Sequence, residues 1–539
     1  ESGLYITTDF YTNRTFKPGD GIPECTFYDQ RQMKMLLPVS RAAMENWKEF
    51  VRRWMTHRNP YTGMTWAEDP AFYCVNLVNE ETLSANWDRS PESVKLYQQA
   101  FRRYLAERGL DPATPAVTSN PVFFRFLNEL QEKVLAEQID FVKSEVKVKA
   151  LVTSLNFIND LSLSLLRQRF DVVDNHAYFD HPGFVDKPWN LPYSYQQDSA
   201  IARMAAVPAN MMPTRIFGKP FLVTEFNYCA PNIFRAEGGP VIGAYAALQN
   251  WDALYRFAWS HDKKDLSAPN GLTRFDAVDD PLAQLSDRIA VMMFRRGDVK
   301  AAEARFGYVV PRDILELRSP NSAPAAFRNL GLIAQIGTVP EGFEPKLAVK
   351  LLNAEQAVNP DALGNPAVAA LWRDTFVNRR VAVSSTGQIR LDSRRKEFTV
   401  KTDLTESVTL PSGTLSAGIL RVSEADSFQT VAAISLDGKP LAGSGSILLL
   451  HLSDVGNSNY TFANELRNVV TAVGGRPLLV RRAAARVELS SDRPFRVEAL
   501  NSEGRSYGEI KGSFHDGVFE FPVDTTRFPG GMLAYHLTR

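Results

Sequence analysis

The feature that most restricts the fold is an alternation. Short apolar runs of strand character recur before residue 260, at 3–10, 71–79, 149–157, 170–178, 220–226 and 253–259. Between them lie segments whose apolar residues return at helical spacing. Met44, Trp47, Val51 and Trp54 mark one helix from about Ser40, and Phe123, Leu127, Leu130 and Val134 mark another. Further helices are expected over 199–206 and around Val241, Tyr245 and Leu248. Strands alternating with helices imply βαβ units, a parallel sheet and strand C-termini gathered on one side. A (β/α)8 TIM barrel and an open doubly wound sheet both satisfy this. No Gly-x-Gly-x-x-Gly follows a strand, so a dinucleotide-binding version has no support. A closed barrel needs eight strands. The expectation is therefore an α/β barrel whose first two βα units are absent from the chain, which opens on Glu-Ser-Gly rather than Met. Those strands would have preceded residue 1, or come from a second chain or a homo-oligomer partner.

After about residue 300 the texture changes. Residues 301–378 mix a short strand at 307–310, Pro-rich loops and a helical piece at 367–376. From 379 to 539, short β-rich runs such as Val381-Ala-Val-Ser, Glu397-Phe-Thr-Val and Arg486-Val-Glu-Leu are separated by Gly, Asn, Asp and Pro. That spacing predicts a C-terminal β-sandwich. The expected organisation is thus a barrel over 1–300, a mixed segment over 301–378 and a sandwich over 379–539.

Composition excludes several classes. Lys plus Arg equals Asp plus Glu at 61 each, which gives no reason to expect nucleic acid or an anionic membrane as partner. No apolar run approaches the ~20 residues of a membrane span, and no signal peptide is expected within these residues. Cys25, Cys74 and Cys229 have neither metal-ligand spacing nor a disulfide framework. A serine hydrolase lacks its Gly-x-Ser-x-Gly elbow. His176 and His181 invite a metal, but His-x4-His here has no matching carboxylate motif, so neither metal nor organic cofactor is expected.

Two glutamates stand out, each closing an apolar strand. Glu80 ends Ala-Phe-Tyr-Cys-Val-Asn-Leu-Val-Asn-Glu, and Glu225 follows Lys-Pro-Phe-Leu-Val-Thr. Strand C-termini of a parallel barrel are where such folds bind substrate. Two carboxyls converging there can share one sugar ring and split its glycosidic bond. An isolated Glu is more often a surface ion pair; two at equivalent strand ends favour catalysis.

Asn79-Glu80, then His176-Ala-Tyr178, then Glu225, in that order, resemble the clan A glycoside hydrolases. Asn-Pro-Tyr-Thr-Gly (59–63), Asn-Glu-Glu-Thr-Leu (79–83) and Thr-Glu-Phe-Asn-Tyr (224–228) are similar to a bacterial cellulase-like branch related to families 5 and 42. The resemblance covers about residues 1–300. It implies a retaining double displacement on a β-linked oligo- or polysaccharide, with Glu80 as acid/base after barrel strand 4 and Glu225 as nucleophile after strand 7. Residues 3–10 then become strand 3. Glu80 would be kept protonated by its neighbouring carboxylate and by desolvation. Asn79 would reach the sugar 2-hydroxyl, Tyr178 would hold Glu225, and His176 would touch the acid/base or the sugar. Trp259 would floor the sugar. Asp9, Tyr11, Asn156 and Asn227 are further expected substrate contacts, and the Trp87 and Trp189 loops are expected at outer subsites. The strand 2 Arg and the strand 3 His of family 5 have no counterpart. A polymeric substrate implies a secreted or periplasmic protein. The rival readings are a non-catalytic carbohydrate-binding protein on an inactive barrel and a metal-dependent hydrolase.

Overall fold

The computed structural model describes the chain apart from residues 1–2, 13–14, 18, 28, 30, 269, 317–321 and 379. The expected domain boundary at Arg379 therefore lies outside the described residues. The first 260 residues carry the expected strands: β1 (Ile6–Asp9), β2 (Phe72–Asn76), β3 (Leu151–Thr153), β4 (Val173–Phe179), β5 (Phe221–Tyr228) and β6 (Ala253–Arg256). They form two three-stranded sheets, β1-β2-β3 and β4-β5-β6, and every pairing is parallel. Backbone bonding between Asp171 N and Val152 O (3.0 Å) stitches the two together ahead of β4. Among the described residues, β1 pairs only with β2 and β6 only with β5, so the outer edges of the set are open.

Helices cover these sheets for legible reasons. In α2 (Arg41–Met55) the Ser40 side chain caps the N-terminus by accepting from Ala43 N. Met44, Trp47, Val51 and Met55 recur on one face and are buried. Each such side chain contributes roughly 1.5–3 kcal/mol by leaving water. Trp47 also donates its indole N–H to Leu77 O at 3.2 Å, tying α2 to the segment that leads to Glu80. Helix α3 (Pro91–Glu107) and helix α4 (Pro121–Asp140) pack through Tyr97, Phe101, Tyr104, Phe123 and Phe126. Trp87 is buried in this cluster. It is a core residue, correcting its expected place at an outer subsite.

Helix α5 (Gly238–Leu248) is apolar on every side and wholly buried. It lies against α6 (Pro281–Phe294) so closely that a Cβ on Gly243 would stand 2.6 Å from Ala290 Cα. The helix expected over 199–206 is replaced by turns, with Met204 and Ala205 at positive φ, and helix begins only at Ala206. At the start of this segment the buried Glu237 carboxylate accepts from Ser199 Oγ (2.6 Å) and from Ala200 N.

Beyond residue 300, the short strand expected at 307–310 lies in the middle of a three-stranded parallel sheet. The sheet runs in the order Gln335–Pro340, Arg305–Val310, Lys350–Leu352. Most of the remainder lies in two antiparallel sheets, of nine and five strands, whose facing sides share one apolar layer that includes Val408, Val431, Leu449, Val487 and Phe519. The opposite face of the larger sheet joins a single hydrophobic cluster with α5, α6 and β5. Polar ties cross the same boundary. Arg235 donates to Val455 O (2.7 Å), and Asn457 Oδ1 accepts from Leu272 N (2.7 Å). Among the described residues, no helix is long and apolar enough to cross a membrane.

Candidate active site

The C-terminal ends of β2, β4 and β5 converge on one point. Past β2, Asn79 N donates to Tyr11 O (2.8 Å), and the chain turns at Glu80 with φ of +52°. That conformation costs an L-residue about 1–2 kcal/mol. It is held by Asn156 Oδ1, which accepts from Glu80 N, and by Asn86 Nδ2, which donates to Glu80 O, both at 2.9 Å. In the β4–β5 register His176 stands opposite Glu225 and Tyr178 opposite Asn227.

His176 is the hub. Its Nδ1 lies 3.3 Å from Glu80 Oε1 and 3.5 Å from Glu225 Oε2. Its Nε2 lies 2.9 Å from Thr224 Oγ1. Thr224 has a single hydroxyl proton and gives it to Asp174 Oδ2 at 2.5 Å. The Nε2 contact therefore needs a proton on the ring nitrogen. With Nδ1 facing two carboxylates, the ring takes the second proton as well. Burial acts most strongly against that charge, but Glu225, the hydrogen bond to Glu80 and Asp174 outweigh it, and the His176 pKa is lifted to about 9. Tyr178 donates its hydroxyl to Glu225 Oε2.

The carboxyls respond unequally. Burial pushes Glu80 upward, yet the hydrogen bond and charge of His176, with Lys34, leave it below the usual carboxylate value. Burial raises Glu225, only partly countered by His176 and Tyr178 and reinforced by Glu80 and Asp9. In the free site these directions run opposite to the expected protonated Glu80 and ionised Glu225. The reason is that His176 bonds Glu80 directly, while Glu225 is the more enclosed of the two, with a side chain 14% exposed against 30%.

The expected contacts divide. Asn79 is buried, and its Oδ1 has no partner among the described residues. Asp9 is half-buried at the end of β1 and accepts from Asn76 Nδ2 at 2.6 Å; burial raises its pKa. Three others are framework rather than cleft residues. Tyr11 is buried, donates to Asn46 Oδ1 (3.3 Å) and packs on Phe50. Asn156 is spent on Glu80 N and Asp174. Asn227 donates to the carbonyls of Phe257 and Phe275 and accepts from Arg256 Nη1. Trp259 is 58% exposed. The rings packed on Tyr178 are Phe257 and Phe275, with His181, because β6 ends at Arg256.

Sequence reasoning missed Lys34, Asp174 and Thr224. Lys34 lies in α1 (Gln32–Leu36) and is only 4% exposed. Burial depresses its pKa, partly offset by Glu80, Asp9 and Glu225. A lysine flanked by Met33 and Met35, and an aspartate inside the apolar run of β4, were the available signals. The nearest donor atoms of Glu80, His176 and Glu225 lie within 4.8 Å of one another. Geometrically these three could also hold a divalent cation, through Nδ1, with Nε2–H kept on Thr224.

No protein-family model matches the chain, and no match was found among curated proteins. Similar solved structures include the endo-β-1,4-mannanase from Thermotoga petrophila, with a TM-score of 0.33 and 12% identity over 57% of this chain and 63% of that one. A Rhizomucor miehei endo-1,4-β-mannanase has a TM-score of 0.31 and 14% identity over 54% of this chain and 71% of that one. A rhamnosidase from Novosphingobium sp. PP1Y has a TM-score of 0.27 and 11% identity, over 94% of this chain and 47% of that one. The chain thus spans less than two thirds of the first mannanase, and the likenesses are distant.

Proposed function

We propose that the chain is a retaining glycoside hydrolase acting on a β-linked oligo- or polysaccharide, with Glu225 as nucleophile and Glu80 as general acid/base. The observation that carries this reading is the meeting of Glu80, His176 and Glu225, from three strand ends, with donor atoms within 4.8 Å. Such closeness suits the ~5–5.5 Å carboxyl spacing of double displacement better than the ~6.5–9.5 Å that inversion needs for an intervening water. In the first step Glu225 bonds the anomeric carbon as the bond to the leaving oxygen breaks, and Glu80 gives that oxygen a proton. In the second, Glu80 takes a proton from water, which displaces Glu225. Tyr178 and His176 hold the Glu225 charge between steps. Glu80 reaches its acid form once sugar enters: burial already acts upward on it, and a sugar in the cleft removes the water left on its carboxylate. The Asn79 Oδ1 beside it, unpartnered among the described residues, suits a sugar hydroxyl. β1 to β6 read as strands three to eight of a (β/α)8 barrel, with the two antiparallel sheets as a sandwich beside it. A polymeric substrate fits a secreted or periplasmic location.

The second reading, a carbohydrate-binding protein without turnover, is favoured by the open edges at β1 and β6. A hollow of about 700 Å³ lies along β6, lined by Trp251, Tyr255, Arg256 and Phe294. The test is a panel of chromogenic β-glycosides and polysaccharides, β-1,4-mannan included, on wild type and Glu225→Ala. Turnover lost in the variant and rescued by azide with inverted product supports the nucleophile. Hydrolysis unchanged in Glu225→Ala removes it from the mechanism, and sugar binding without turnover selects the second reading. Turnover abolished by a chelator selects metal chemistry.

A further inference from the structure

A run of rings leads from the site toward the surface. Tyr178 stands edge-on to His181 (centroids 5.3 Å apart) and to Phe275 (5.7 Å). Both of those rings meet Trp189, at 6.0 and 6.2 Å. Trp189 ends the run at the surface, 42% exposed. It is held rather than loose. Phe184 packs beneath it at 4.7 Å. The hydroxyl of Tyr193 donates to its carbonyl (2.9 Å) and accepts from Arg274 Nη1 (2.8 Å).

What fixes this loop comes from the far end of the chain. Its strands Gly183–Phe184 and Tyr193–Ser194 continue into Val469–Ala472 and Thr461–Phe462 as one four-stranded sheet. Tyr195 N donates to Asn468 O (2.8 Å), and Gln197 Nε2 donates to Arg467 O (3.0 Å). Val470 is buried with Tyr193 and Tyr195 in a small apolar cluster of their own. The C-terminal part therefore backs this loop, and an exposed indole is displayed on it.

We propose that this hairpin-backed loop is a sugar-binding subsite in which Trp189 stacks on a ring of the bound saccharide away from the bond being cleaved. The proposal rests on the glycosidase reading above. A rigid exposed indole, continuous through Phe275 and His181 with the tyrosine on Glu225, suits the C–H face of a pyranose, leaving the sugar hydroxyls in water. Residues 461–472 act as positioning elements, which gives the C-terminal part a role in recognition.

The test compares kcat/KM on β-1,4-linked gluco- and manno-hexasaccharides with kcat/KM on single-ring β-glycosyl fluorides, for wild type, Trp189→Ala and Val470→Asp, with thermal melts alongside. The ratio of hexasaccharide to fluoride is expected to fall roughly tenfold in both variants, the scale of losing one buried aromatic face. Val470→Ile should keep the wild-type ratio. If Val470→Asp melts below the assay temperature, Val470→Ala serves as the milder cut. A ratio unchanged in Trp189→Ala overturns the subsite, and a ratio unchanged in the folded Val470 variant overturns the hairpin's part in it. If wild type turns over none of these substrates, the glycosidase reading fails separately, and calorimetric titration with the hexasaccharides decides. Weaker binding in Trp189→Ala then supports the subsite, and equal or absent binding overturns it.

Discussion

Tyr178→Phe removes one hydroxyl and leaves a ring that still packs on His181, Phe257 and Phe275. The lost group donates to Glu225 Oε2. A hydrogen bond to a charged group contributes about 1.5–3 kcal/mol, and one pKa unit corresponds to about 1.36 kcal/mol. Water compensates little, because the Glu225 side chain is 14% exposed. Burial already raises this carboxyl, and Tyr178 is one of the groups pulling it back. Without the hydroxyl the Glu225 pKa should rise by a further ~1–2 units. Glu225 must be ionised to attack, so activity is lost from the acid side. The acid limb of kcat against pH, which reports the sugar-bound site where Glu80 holds its proton, is expected to move up by that amount, while activity well above the limb is retained more fully. The assay is a pH profile of both proteins on one chromogenic β-glycoside. A limb that stays in place while kcat falls uniformly at every pH would refute the reasoning and leave Tyr178 only a packing role.

Two further outcomes follow from the buried cations. Lys34 helps hold Glu80 low, so Lys34→Met should raise the basic limb of kcat, on which sugar-bound Glu80 loses its proton, by about one unit or less since no direct ion pair among the described residues is broken. Lys34→Arg should stay near wild type, and pH profiles of the two distinguish charge from shape. His176 has a folded pKa of about 9 against an unfolded value of about 6.5. Its contribution to stability is fully present below the lower value and is lost as pH rises through the upper one. Melting temperatures should therefore fall across that window in wild type and fall less in His176→Gln.

The parallel core was legible because β2 and β5 are enclosed on both faces and so read as continuous apolar runs ending in Glu80 and Glu225. Helix α2 was legible because its apolar residues and Ser40 cap are local signals. What could not be read was set by partners distant in sequence. The segment at 199–200 is tied to the buried carboxylate of Glu237, and Met204 and Ala205 sit at positive φ where helix was expected. Asn156 and Asn227 looked like cleft residues by position, but their amides are consumed by Glu80 N and by the carbonyls of Phe257 and Phe275. The order of carboxyl pKa directions depends on His176 leaning toward Glu80, a matter of tenths of an ångström. The pairing of Tyr193 with Val470 joins segments so far apart that no local pattern announces it.

The most direct measurement is the anomeric configuration of the first product, followed by proton NMR on the best-cleaved β-linked substrate before mutarotation. Two carboxyls this close in space, with Glu225 held by Tyr178 as a nucleophile, should release the β-anomer first. First release of the α-anomer would mean that water, not Glu225, attacks the sugar, and would contradict the double displacement.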